Sequence, residues 1–175
     1  MTTMPRAMTA APTCTLSELL PERTITRDAA ISGLCYDSRR VRPGDLFFAL
    51  HGEKTDGAQF IAQAIANGAA AVVTGVPVDA DIPVIVDPNP RRLMADISHR
   101  FHGHPDRSID LVGVIGTNGK STVAAGLQVV WETAGVKAGL FGTLHYPWGD
   151  YSEPAARPTP EAPALDLLLP RMRAV

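Results

Sequence analysis

Ile109-Asp110-Leu111-Val112-Gly113-Val114-Ile115-Gly116-Thr117-Asn118-Gly119-Lys120-Ser121-Thr122 passes from an apolar run into a glycine-rich turn and then into a helical pattern. Residues 109–115 read as a strand, bounded by turn-forming residues on either side. Residues 120–134 read as a helix, and Gly135 stands where a C-cap glycine belongs. Residues 137–141 read as the next strand, which completes one βαβ unit with a right-handed connection. From 146 to 163 the chain is rich in proline and polar residues and reads as a loop. Leu165, Leu168, Leu169 and Met172 then mark one face of a further helix.

Working back toward the N-terminus, His102-Gly103-His104-Pro105-Asp106 breaks every periodic pattern and reads as a linker. Before it, Leu46-Phe47-Phe48-Ala49-Leu50 is an apolar run set off by Pro43-Gly44 and Gly52, the pattern of a buried strand. Phe60, Ile61, Ala64 and Ile65 mark a short helix that Gly68 stops. Residues 70–74 and 84–86 read as strands. Asn89 followed by Pro90 starts a helix, because Asn caps and Pro at the first turn loses no needed N–H. Leu93, Ile97 and Phe101 bury that helix. Strands alternating with helices give an α/β layer fold. The expected organisation is a flexible N-terminus over 1–15, a small α/β domain over 16–105, and the first part of a second, P-loop-type domain over 106–175.

Composition narrows the function classes. The chain has 175 residues, 45% apolar and 19% charged, as ordinary globular domains do. A net charge of −2 gives no electrostatic case for nucleic acid or an anionic membrane, so an anionic ligand must be held locally. Cys14 and Cys35 form neither a metal motif nor a disulfide framework, which fits a reducing cytoplasm. No apolar run reaches the ~20 residues that span a bilayer.

Gly116-Thr117-Asn118-Gly119-Lys120-Ser121-Thr122 has the residue types a phosphate loop needs. Glycines let backbone N–H groups approach an anion, and the following helix turns its positive end toward it. Lys120 is placed to reach the β- and γ-phosphates of a nucleotide. The Ser121 hydroxyl is placed to ligate Mg²⁺, and Thr122 supports either role. The plainer alternative is a glycine turn that caps a helix, with Lys120 solvated; Gly, Lys and Ser in this order after a strand weigh against it. The general P-loop pattern puts a further Gly at the position occupied by Val114.

A second motif lies upstream: Asp37-Ser38-Arg39-Arg40-Val41-Arg42-Pro43-Gly44-Asp45-Leu46-Phe47-Phe48-Ala49-Leu50, then Asp56-Gly57 and Phe60-Ile61. By itself it is a polar turn before a buried strand. Its arginines suit a phosphate or simply solvent. Taken with the GTNGKS loop, it resembles the Mur ligases, whose relatives the folylpolyglutamate synthetases share the loop but not the upstream block. The resemblance covers about residues 31–172. It implies an N-terminal domain that holds the UDP end of a sugar-nucleotide. Ser38 would be a substrate contact, as would Glu53, Lys54 and Thr55 in the loop after the apolar strand. It implies ATP on Gly116–Thr122, with Lys120 as the catalytic cation and Ser121 on Mg²⁺.

Within the family, Thr117, the segment Gly142-Thr143-Leu144-His145-Tyr146 and the segment Thr159-Pro160-Glu161-Ala162 resemble the ligases that add the third stem-peptide residue. Thr159 matches a substrate-binding threonine; Pro158 replaces its partner and has neither hydroxyl nor N–H. The implied reaction joins free diaminopimelate or lysine to UDP-N-acetylmuramoyl-L-Ala-D-Glu. ATP converts the carboxylate to an acyl phosphate that the amine then attacks. The whole enzyme would be a cytoplasmic monomer, with its amino-acid site and remaining metal ligands beyond Val175, and the chain would be an incomplete fragment of it. A D-Ala-D-Ala-adding ligase and a non-catalytic sugar-nucleotide-binding module are the other readings. His99, His102 and His104 read as a solvated linker, because Gly103 and Pro105 break any shared helical face.

Overall fold

The computed structural model describes residues 13–52, 56–142, 145–148, 151–154 and 160–173. Contacts divide it into two units, with the break between His104 and Pro105.

The first unit begins with β1 (Cys14–Thr15), which pairs antiparallel with β2 (Ala30–Ile31) and lies within the stretch read as a free N-terminus. Thr15 also starts α1 (Leu16–Leu19) with a reciprocal cap. Its hydroxyl accepts the Glu18 N–H at 3.2 Å, and the Glu18 carboxylate accepts the Thr15 N–H at 2.7 Å. Four parallel strands follow in the order β3 (Gly33–Cys35), β4 (Asp45–Ala49), β5 (Ala71–Thr74) and β6 (Val84–Val86).

Period-two alternation sends the strand residues to two cores. Leu46, Phe48, Ala71 and Val73 pack with Leu16, Leu19 and Leu20 of the α1 segment and with Leu93, Met94, Ile97 and Phe101 of α3 (Pro90–Phe101). Phe47, Ala49 and Val72 pack on the opposite face with Ile61 and Ala64 of α2 (Ile61–Ala66). A sheet covered on both faces is why Asp45–Ala49 is buried throughout and reads as continuous apolar sequence rather than as alternation. Helix α3 starts as expected: the Asn89 side chain accepts the Arg92 N–H at 3.1 Å, with Pro90 in the first turn.

The turn into β4 is fixed by Pro43-Gly44. Gly44 has φ +89°, and the Asp45 N–H bonds the Arg42 carbonyl at 3.1 Å, as a Pro-Gly turn requires. The buried Asp45 carboxylate accepts the Arg42 N–H at 2.8 Å, and burial raises its pKa against the opposing pull of that bond. A raised carboxyl means that ionised Asp45 costs the folded state stability above its folded pKa, and this cost disappears as pH falls. Asp45→Asn keeps an acceptor and drops the charge. It is expected to melt at or above the wild-type temperature near neutral pH, with the gap closing on acidification. Asp45→Ala, which strands the Arg42 N–H, is expected to lose about 1 kcal/mol at acid pH and less as the pH rises toward neutral, because it also removes the cost of the ionised carboxylate. Thermal melts from acid to neutral pH check both; an Asn variant whose advantage grows at low pH would contradict the assignment.

The second unit departs from expectation in three places. Residues 109–115 form no strand. Leu111, Val112 and Ile115 are 53, 60 and 97% exposed, and among the described residues no strand pairs with this segment. An extended apolar run becomes a strand only when a neighbour takes its N–H and C=O groups. Residues 137–141 form only an isolated bridge at Gly139, with the Leu140 N–H on the Pro147 carbonyl at 3.0 Å. The stretch read as a loop instead contains a hairpin, β7 (His145–Trp148) and β8 (Tyr151–Pro154), with Tyr146 opposite Glu153. Helix α4 (Lys120–Thr133) ends as read. Gly135 has φ +78°, and the Val136 N–H reaches back to the Trp131 carbonyl at 2.9 Å. Helix α5 (Ala162–Arg173) packs Leu168 on Tyr146, with Phe141 and Met172 around them.

Candidate functional site

The glycine-rich loop meets α4 through Gly119, whose φ of 76° and ψ of −3° are left-handed. That conformation suits glycine and lets the chain turn sharply into the helix. No side chain caps the helix, so the N–H groups of its first turn stay available to a ligand. Lys120 curls back over the loop, its Nζ donating to the Gly116 carbonyl at 2.6 Å and to the Thr117 carbonyl at 3.2 Å. Gly116, Thr117, Asn118, Gly119, Lys120, Ser121 and Thr122 are all exposed. A positive helix end, open amides and a lysine over the same turn make an anion site. They fit a nucleotide's phosphates. Ser121 offers one hydroxyl oxygen to a divalent cation.

In the first unit the parallel strands all deliver their carboxyl ends to one edge, the edge where open α/β sheets take ligands. A shallow cavity of about 210 Å³ lies there, lined by Ala49, His51, Asp56, Thr74, Gly75 and Val76 with Pro88 and Pro90. A larger one of about 400 Å³ lies on the flank of α2 against residues 78–81. The smaller has the better position for a ligand, because it lies at the carboxyl ends of the strands.

Asp56-Gly57 shapes this edge, for a reason the sequence motif did not disclose. The Gly57 N–H bonds the Leu50 carbonyl at 2.9 Å, and His51 pairs with Asp56 in an isolated antiparallel bridge. Asp56 accepts the Ala58 N–H at 3.0 Å and so starts the next turn. A Cβ on Gly57 would lie 2.5 Å from the Leu50 carbonyl oxygen and 2.6 Å from its nitrogen. Only glycine lets the two ends of the loop close. Glu53, Lys54 and Thr55 lie outside the described residues, as does Thr159.

Ser38 sits in a short 3-10 turn (Ser38–Arg40) just past β3, on the same edge as the loop. It is buried and does not line the 210 Å³ cavity. Its hydroxyl donates to Gln63 Oε1 at 2.8 Å, and its carbonyl accepts from Asn67 Nδ2 at 2.8 Å. Arg39 does not offer a free fork to a phosphate. Its Nε and Nη2 both bind Asp37, at 2.9 and 2.8 Å, and this guanidinium holds the Asp37 carboxyl below the usual range. Among the described residues there is no group of three or more metal-ligating side chains, the histidines near the linker included. No helix among them is long and apolar enough to cross a membrane.

Comparison with known proteins adds to this geometry. The model of the Mur ligase family, catalytic domain, matches residues 30–102, which lie in the unit that does not carry the Gly116–Thr122 loop. A UDP-N-acetylmuramoyl-L-alanyl-D-glutamate–2,6-diaminopimelate ligase from Geobacillus kaustophilus is 45% identical over 132 residues, 75% of this chain and 27% of that protein. The ligase of the same name from Streptomyces avermitilis is 39% identical over 97% of this chain and 34% of its own. The chain thus spans about a third of the length of these curated relatives. A solved structure of a ligase with that name superposes with a TM-score of 0.69 over 90% of this chain and 33% of its own, at 24% identity. A MurF structure from Acinetobacter baumannii gives 0.53 over 77% of this chain and 30% of its own. Both likenesses speak for the fold alone. The family model spans both the Asp37-Ser38-Arg39 turn and the apolar β4, and with relatives at 39 and 45% identity running along 97 and 75% of its length, this chain is similar to the Mur ligases over most of its residues.

Proposed function

We propose that the protein carrying this chain is an ATP-dependent ligase that adds diaminopimelate or lysine to UDP-N-acetylmuramoyl-L-Ala-D-Glu in peptidoglycan synthesis. The first unit takes the UDP end of the sugar-nucleotide through Ser38 and the loop containing Glu53, Lys54 and Thr55. Thr159 contributes from the second unit. Gly116–Thr122 takes the phosphates of ATP, with Lys120 balancing their charge and Ser121 supplying one oxygen to Mg²⁺. ATP supplies the activation that a carboxylate needs before an amine can attack it. The enzyme works in the cytoplasm as a monomer, without nucleic acid and without inserting into a membrane.

The observation that carries this reading is the open, lysine-covered helix end at Gly119, in a chain whose relatives are named as diaminopimelate ligases. Those names favour the third-residue ligase over the D-Ala-D-Ala-adding one, toward which only fold likeness points.

Ser38→Ala is the test of the substrate assignment. It should weaken binding of UDP-N-acetylmuramoyl-L-Ala-D-Glu about 2- to 12-fold, the worth of one hydrogen bond. ATP affinity should hold, since Ser38 and the loop lie in different units. Calorimetric titration of each ligand into wild type and variant reads both. A loss of ATP binding with the UDP-sugar unaffected would sink the division of labour.

A further inference from the structure

Gln63 in α2 and Asn67 at its C-cap hold Ser38 from different sides. Gln63 takes its hydroxyl proton and Asn67 holds its carbonyl, each over 2.8 Å. The two residues are four apart, so they stand on one stripe of the helix. Both are exposed, and neither belongs to the buried face that Ile61 and Ala64 present to the sheet. Core packing therefore does not explain what Gln63 does.

A serine hydroxyl has one proton and two lone pairs. With its proton on Gln63 Oε1, Ser38 meets a further partner as an acceptor only. We infer that Gln63 is a positioning residue that fixes the Ser38 hydroxyl as an acceptor, so that the sugar-nucleotide is recognised by an N–H or O–H that it donates to Ser38. This rests on the proposed UDP-sugar role of Ser38. A uridine nucleotide offers such a donor as the base N3–H or as a ribose hydroxyl. An uncommitted hydroxyl would spend part of its time pointing its proton at that donor, and the contact would weaken.

The test is titration of UDP-N-acetylmuramoyl-L-Ala-D-Glu into the chain and its Gln63→Leu, Gln63→Glu and Ser38→Ala variants, and into the double variant. Gln63→Leu should weaken binding about 2- to 12-fold, and Gln63→Glu, which still accepts the proton, should restore it to within about 2-fold. On the Ser38→Ala background the Leu substitution should add nothing, because its only route to the ligand is gone. Gln63→Glu should melt near the wild-type temperature, whereas Gln63→Leu, which strands the buried Ser38 hydroxyl, should melt lower, and circular dichroism at the titration temperature checks that it is folded. N3-methyl-UDP and 2′-deoxy-UDP identify the donor: one of them should lose affinity for wild type but not for Ser38→Ala.

Absence of binding by the unsubstituted chain, or full affinity in Ser38→Ala, would overturn the UDP-sugar reading and this inference with it. If Ser38→Ala is weak, two results would overturn the inference alone. One is Gln63→Leu at wild-type affinity; the other is Gln63→Leu costing as much on the Ser38→Ala background as on the wild type. Loss of affinity for both analogues to the same degree on both proteins would likewise remove the acceptor role.

Discussion

Lys120→Ala is expected to abolish ATP-dependent turnover of the ligase, by at least about 10²–10³-fold, while leaving the fold intact. The lysine is exposed at the start of α4, and its Nζ hangs over the loop on the carbonyls of Gly116 and Thr117. Nothing in a core depends on it. Phosphoryl transfer is catalysed almost wholly by positioning and charge neutralisation, so losing the cation over the loop removes what the helix end and amides cannot replace. An arginine there would not serve equally, because a planar fork is a different shape from a compact ammonium. Turnover by phosphate release, beside circular dichroism and a thermal melt, separates chemistry from folding. Near wild-type turnover in the variant would mean that the turn only caps a helix.

The 175 residues alone are expected to form no amide bond and to bind the UDP-sugar at most weakly, through the first unit. Helix α4 buries none of its residues, and Val129 and Val130 are 61 and 63% exposed. Ile115, which leads into the loop, is 97% exposed. A phosphate loop works when strand and helix hold it rigid, and here both sides of the loop are open. Ser121 supplies one oxygen, whereas Mg²⁺ takes near-octahedral coordination with carboxylate help. Incubation with ATP, Mg²⁺, UDP-N-acetylmuramoyl-L-Ala-D-Glu and diaminopimelate or lysine should give no product and no phosphate above background. Steady product would show that the residues present suffice.

The first unit was largely legible because its signals are local. Asn89-Pro90 starts a helix by its own chemistry, and β4 between Pro43-Gly44 and Gly52 can only be a buried strand. The second unit was less so. Residues 109–115 carry a strand's composition, but a ladder needs a partner, and composition does not supply one. The hairpin at 145–154 was hidden by Pro147 and Pro154, which suggested a loop. In a two-stranded ribbon half of each strand's backbone groups point away from the partner strand, and a residue without an N–H is tolerated there. Gly149-Asp150 in the sequence was the available signal, a dipeptide of the kind that favours hairpin turns. In the site, Ser38 and the loop were visible as motifs. Gln63 and Asn67 were not, because they lie 25 and 29 residues from Ser38 and only the fold brings them together.

Ligation by the whole protein that carries this chain is the decisive measurement. It should be assayed with ATP and Mg²⁺ on two acceptor pairs: UDP-N-acetylmuramoyl-L-Ala-D-Glu with diaminopimelate or lysine, and the UDP-N-acetylmuramoyl-tripeptide with D-Ala-D-Ala. Product from the first pair, with one phosphate released per amide bond and none from the second, is the expected result. Product from the second pair alone, or phosphate release without any amide, would contradict it.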